Sequence, residues 1–362
     1  MKTTRSSLLL AALGATFALA AIAVDAGGPR MRRPAKVGPV TPAAPAALPP
    51  PPATLVATGL YAAGSTTTIA DGIEPFAPQY PLWTDGAHKE RWISLPAGAQ
   101  IDATRADAWQ FPVGTKLWKQ FSFGGRKVET RYMERTAAGW IFATYAWNDA
   151  GTDAALAPAD GAESVEVAAG VHHSIPSQAD CKACHGAFSP VLGFSALQLS
   201  ADRDPGALHA EPPPAGALDL AGLVASGRIR DLAPAIGVAP RIVARDATAR
   251  AALGYLHGNC GSCHRPGGAA DSVGMYLLQS LEPGAGATVQ PTAVDVVSHF
   301  QPAGSSDARR IVAGDPAGSV LVHRIGRRDP VAQMPPFGTH LVDDAAVELI
   351  SRWIRELPID RT

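Results

Sequence analysis

The sequence predicts an α+β chain of several domains, with an N-terminal β-rich part, sandwich- or barrel-like, followed by mainly α-helical regions. Three observations predict it. Segments dense in β-branched and aromatic residues are confined to the first half. Helical periodicity returns only after residue 246, and Pro- and Gly-rich stretches separate the blocks. The 36 glycines and 32 prolines in 362 residues, with 17% charged, suit a globular chain with long loops. A net charge of −1 without a basic patch argues against nucleic acid as a partner.

Residues 1–26 form the first block. Lys2 and Arg5 precede an apolar run from Leu8 to Val24, and Val24-Asp25-Ala26 offers small residues for cleavage, the pattern of a secretory signal peptide. An uncleaved anchor is the alternative, because the run is long for a signal and short for a span. No other segment is long and apolar enough to cross a bilayer. The expectation is therefore a periplasmic protein that meets the membrane only through a partner. Residues 27–53 are Pro- and Ala-rich without apolar periodicity and read as an extended, disordered tether.

Residues 54–175 form the β-rich block. Lys89 to Leu95 is one strand. Thr115 to Phe123 is another, and Gly124-Gly125 supplies the positive φ values of a tight hairpin. Arg126 to Arg135 returns, and Trp140 to Trp147 completes a three-stranded meander. Trp83, Trp92, Trp109 and Trp118 could form saccharide platforms, although core packing is the ordinary role of Trp. Residues 176–245 are Pro-rich and loop-like. In residues 246–362 a helix runs from Asp246 to Leu256. A second runs from Asp343 to Leu357, with Val347, Ile350, Ile354 and Leu357 on one face.

The chemistry resides in the cysteines. All four lie in two C-x-x-C-H motifs, Cys181-Lys182-Ala183-Cys184-His185 and Cys260-Gly261-Ser262-Cys263-His264. Two thiols one turn apart can each form a thioether with a haem vinyl group, and the adjacent His can ligate the iron. A zinc ribbon, two disulfides or thioredoxin-like chemistry would leave a His after both motifs unexplained. The expected cofactors are thus two covalent c-type haems, held by Cys181, Cys184 and His185 and by Cys260, Cys263 and His264. Met334, in a Gln-Met-Pro-Pro-Phe-Gly loop, is the expected sixth ligand of the second iron. For the first iron His257 leads, ahead of Met275, with His172, His173 and His209 behind and an open iron as the other alternative. Arg265, Arg309, Arg310 and Arg324 are available to haem propionates.

With these residues in place, a resemblance emerges. Residues 246–362 resemble a class I cytochrome c domain, in the helix ending at Tyr255-Leu256, the motif after Asn259, the Met334-Pro335-Pro336 loop and the helix carrying Trp353. The wider layout is similar to bacterial periplasmic dihaem c-type cytochromes with an N-terminal β-rich domain. The matching stretches are Tyr80 to Gly86, Phe111 to Thr115, Ile175-Pro176-Ser177, Arg265 to Gly268 and Gly314-Asp315-Pro316. The resemblance implies mainly α-helical cytochrome c-type haem domains, haem binding and electron transfer. The expected partners are redox proteins, an exported dehydrogenase or a terminal acceptor. No catalytic residue is assigned, and an electron carrier is expected rather than an enzyme; a dihaem peroxidase-like enzyme with an open first iron is the alternative.

Overall fold

Apolar alternation lays down the central sheet. In the computed structural model, which describes residues 47–168, 170–186 and 189–359, the strands are β1 (Glu74–Pro75), β2 (His88–Ser94), β3 (Ile101–Asp102), β4 (Lys116–Phe123), β5 (Arg126–Thr136), β6 (Gly139–Trp147), β7 (Ala154–Leu156), β8 (Ala162–Ala168), β9 (Val171–Ile175) and β10 (Ile229–Arg230). Six of them form one antiparallel sheet in the order β1-β2-β4-β5-β6-β7. β8 pairs with β9, and β3 pairs in parallel with β10. Gly124 and Gly125, at φ 54° and 82°, turn β4 into β5. The expected signal peptide and the tether as far as residue 46 lie outside the described residues.

The pairing register separates the two faces of the sheet. Trp92, Trp118, Tyr132 and Ala143 stand directly opposite one another across four strands. They bury a core with Leu55, Leu60 and Tyr145. The next row, one residue along, faces the other way: Arg91, Lys119, Arg131 and Thr144. On that same face, to the other side of Trp92 and Trp118, Ile93 and Leu117 join a second core with Trp109, Phe111 and Phe194. Trp92, Trp109 and Trp118 are each at most 7% exposed, so they pack the interior and present no saccharide platform.

The helices are α1 (Leu55–Thr58), α2 (Gln178–His185), α3 (Leu220–Ala225), α4 (Ala247–Asn259), α5 (Val289–Ala293), α6 (Val320–Ile325) and α7 (Asp344–Arg355). Asp246 caps α4 through the Ala249 N–H at 2.8 Å, and Asp343 caps α7 through that of Ala346 at 3.1 Å. α4 and α7 share a core of Leu256, Ile350, Trp353 and Ile354.

Two expectations about the fold class are corrected. The regions carrying the motifs are not mainly α-helical: the structure is 19% helix and 21% strand, and α4, at 13 residues, is the longest helix among the described residues. Prolines such as those of 212–214 and 335–336 remove backbone donors and break helices, so coil with short helical turns fills these regions. Nor is the sheet a sandwich or barrel. It is open, with edges at β1 and β7, and its second layer is coil and short helices rather than another large sheet.

Residues 46–362 form one compact unit. The stretch from Tyr80 to Asp85 shows how its parts interlock. Tyr80 packs on Gly254 and Gly258 of α4, where a Cβ would stand 2.0 Å from the ring and 2.3 Å from the Tyr80 carbonyl oxygen. The Trp83 N–H donates to Asn259 Oδ1 at 2.7 Å, and Asp85 accepts from the His340 and Leu341 N–H groups.

Candidate functional site

Both motifs open onto one cavity of about 750 Å³, a size typical of small-molecule sites. Its walls are the second face of the sheet, the stretch from Tyr80 to Thr84, both pairs of cysteines and the loop from Met334 to His340.

The first motif lies inside α2. Ser177 and Asp180 form a reciprocal capping box, with the Asp180 N–H donating to Ser177 Oγ at 3.1 Å and the Ser177 N–H to Asp180 Oδ2 at 3.0 Å. This Ser-x-x-Asp signal was available in the sequence and marks a helix start that the Pro-rich surroundings obscured. The helix places Cys181 and Cys184 one turn apart in the cavity wall, and His185 at its last position. The second motif begins where α4 ends, with Cys260 as C-cap, and continues as turns. The pairs are 79 residues apart in sequence, yet Cys184 and Cys263 stand close enough for each to act on the titration of the other. Their interaction pushes the Cys184 thiol up and draws Cys263 down to about 6. Burial pushes Cys260 up to about 12.

Tautomers separate the histidines. His185 Nδ1 lies 2.5 Å from the Pro190 carbonyl oxygen, and His264 Nδ1 3.3 Å from that of Met275. A ring that donates from Nδ1 keeps its lone pair on Nε2, which is how a backbone carbonyl prepares a metal ligand. His185 lines the cavity, whereas His264 is 8% exposed and lies just behind the lining. Burial holds both below the ordinary imidazole range, His185 at about 4. His257 has the opposite arrangement. Its Nδ1 accepts the Gln279 N–H at 3.1 Å, so the neutral ring carries its proton on Nε2 and has no lone pair there for iron.

Met334 lines the cavity, and its loop is held by Arg324, whose carbonyl accepts the Met334 N–H at 3.1 Å and whose Nε donates to Ala332 O at 3.0 Å. Met275 is buried in the α4–α7 core. His173 is bonded to Glu129 at 2.9 Å and His209 to Asp343 at 2.8 Å, and neither lines the cavity. Arg310 binds the carbonyls of Val273, Gly274 and Thr292. Of the four arginines named from the sequence only Arg265 reaches the cavity, and its Nη2 is buried without a partner.

Sequence reasoning missed the contribution of the sheet. Arg91, Lys119, Arg131, Met133 and Phe142 all line the cavity, and the Phe142 ring lies 5.5 Å from that of His185. Period-two alternation in β4 and β5 places Lys119, Arg131 and Met133 on one face, but pairing with motifs so distant in the chain leaves no local signal.

These residues fit haem in kind: four motif cysteines at one cavity, an imidazole with a free Nε2 in its wall, a thioether on an anchored loop, and buried cations suited to carboxylates. Among the described residues no group of three or more His, Cys, Asp or Glu side chains is arranged to hold a metal ion directly. None of the protein families, curated proteins or solved structures compared with the chain matches it.

Proposed function

We propose that this chain is a dihaem c-type cytochrome, exported to the periplasm, that passes electrons between an exported dehydrogenase and a terminal acceptor. The observation that carries the reading is the convergence of two Cys-x-x-Cys-His motifs, 79 residues apart, on one cavity. Haem supplies an iron that cycles between Fe(III) and Fe(II); the protein supplies attachment, axial ligands and a low-dielectric wall. Cys181 and Cys184 anchor one group and Cys260 and Cys263 the other. His185 and His264 serve as proximal ligands, each oriented by a backbone carbonyl, and Met334 as sixth ligand of the second iron. Among the described residues no helix is long and apolar enough to cross a membrane, and the membrane is met through a partner.

The test is intact mass and haem staining after expression with a cytochrome c maturation system. Two covalent haems are expected, and a mass lacking both additions overturns the reading. The His257 tautomer favours a second reading, a peroxidase-like enzyme whose first iron is open. A high-spin signal in the oxidised protein, together with peroxide turnover, would bring that reading forward.

A further inference from the structure

On the cavity face of the sheet, three cations stand in line. Arg91 on β2 is directly opposite Lys119 on β4, and Lys119 is directly opposite Arg131 on β5. Like charges at directly opposed positions destabilise a sheet, and here they also line a largely enclosed cavity. The flanking pair has some compensation: Arg91 Nη1 meets Glu211 at 3.1 Å and Arg131 Nη2 meets Glu129 at 2.5 Å. Glu129 is shared with His173. Among the described residues Lys119 forms no ion pair with a carboxylate; its Nζ lies 4.6 Å from the Phe121 ring. Burial, reinforced by Arg91, Arg131 and Lys89 and opposed by Glu129, pushes its amine well below the usual lysine range.

Such a row favours an anion in the cavity. Lys119 and Arg131 line the same cavity as Cys181, Cys184 and His185, and Phe142, on the strand next to that of Arg131, packs against the His185 ring at 5.5 Å with the planes tilted by 40°. The anion therefore belongs beside the first motif. Accepting the dihaem reading above, we propose that the Arg91–Lys119–Arg131 row holds the propionate carboxylates of the haem attached at Cys181 and Cys184, with Lys119 as the principal partner. The β-rich part of the chain is then a wall of the first haem site rather than a separate binding module.

Lys119→Met keeps the length of the side chain and removes its charge. In the purified holoprotein we expect two haems by mass, one of the two midpoint potentials lowered, because a cation near the haem has been lost, and the other unchanged. Lys119→Arg should restore the wild-type value. Fewer than two haems in the wild-type protein would defeat the dihaem reading itself. Two haems with both potentials unmoved in Lys119→Met would overturn this proposal alone. Should Lys119→Met not fold, infrared redox difference spectra of wild-type protein carrying ¹³C-labelled propionates decide the matter. Propionates held by the row give ionised carboxylate bands for the first haem, and a protonated-acid band there overturns the assignment.

Discussion

Substituting Gly258 by alanine tests how the helix before the second motif is locked to the rest of the chain. The new Cβ would lie 2.3 Å from the Tyr80 carbonyl oxygen and 3.0 Å from its carbon. Ordinary contact begins near 3.4 Å, so the Tyr80 backbone must retreat by about 1 Å. That movement breaks the bonds from Trp83 N–H to Asn259 Oδ1 at 2.7 Å and from Asn259 Nδ2 to Pro81 O at 3.3 Å. Each is worth about 1 kcal/mol, and the overpacking costs a further ~1–3 kcal/mol. Better helix propensity returns about 1 kcal/mol. The expected net loss is about 2–4 kcal/mol. Gly254→Ala is a partner experiment with a different geometry, since its Cβ would meet only the Tyr80 ring, 2.0 Å away. In a Tyr80→Ala background, Gly254→Ala should therefore become neutral or stabilising by about 1 kcal/mol. Gly258→Ala, which meets main chain, should stay costly there. Denaturant unfolding of the holoprotein and its variants measures both. Gly258→Ala as stable as wild type, or Gly254→Ala equally costly with and without the ring, would refute the packing argument.

Three further outcomes are expected. Met334→Ala should abolish the weak long-wavelength sulfur-to-iron absorption band of the oxidised protein and lower one of its two potentials; an unchanged spectrum would make Met334 loop packing only. Burial lowers the folded pKa of His257 to about 4, below the ordinary 6.5, so its contribution to stability is complete above 6.5 and is lost as the pH falls towards 4. His257→Asn, whose Oδ1 can still accept the Gln279 N–H, should flatten that acid loss in denaturant titrations and leave the low-spin EPR signals intact. Residues 246–362 expressed alone should fail to retain haem unless residues 75–90 are supplied, because α4 would expose its glycine face; a folded, haem-loaded fragment would contradict this.

Much of the local structure was legible in the sequence. The meander is written in its density of β-branched and aromatic residues and in Gly124-Gly125, and the two long helices in Asp246 and Asp343 and their apolar residues. The motif cysteines are explicit, because few chemistries need Cys-x-x-Cys-His twice. What could not be read was set by long-range packing. Lys119, Arg131 and Met133 look like ordinary outward residues of β4 and β5 until the opposite wall is known. His257 has the right residue type for iron, and only the Gln279 N–H, 22 residues further along, fixes its tautomer. The helical content of residues 176–362 was overestimated because a resemblance built on motifs and two helices does not report the proline-broken coil between them.

The meeting of Cys184 with Cys263 bears on the order of biogenesis. On the dihaem reading, two of the four thioethers must be made at sulfurs, those of Cys184 and Cys263, that the finished fold brings near the other motif. A chain that completed its fold before receiving haem would hold those two reduced thiols near each other. In an oxidising compartment such neighbours join as a disulfide, removing one attachment point from each motif at once. On that reading, maturation reaches both sites while the chain is still open, and the cavity closes last.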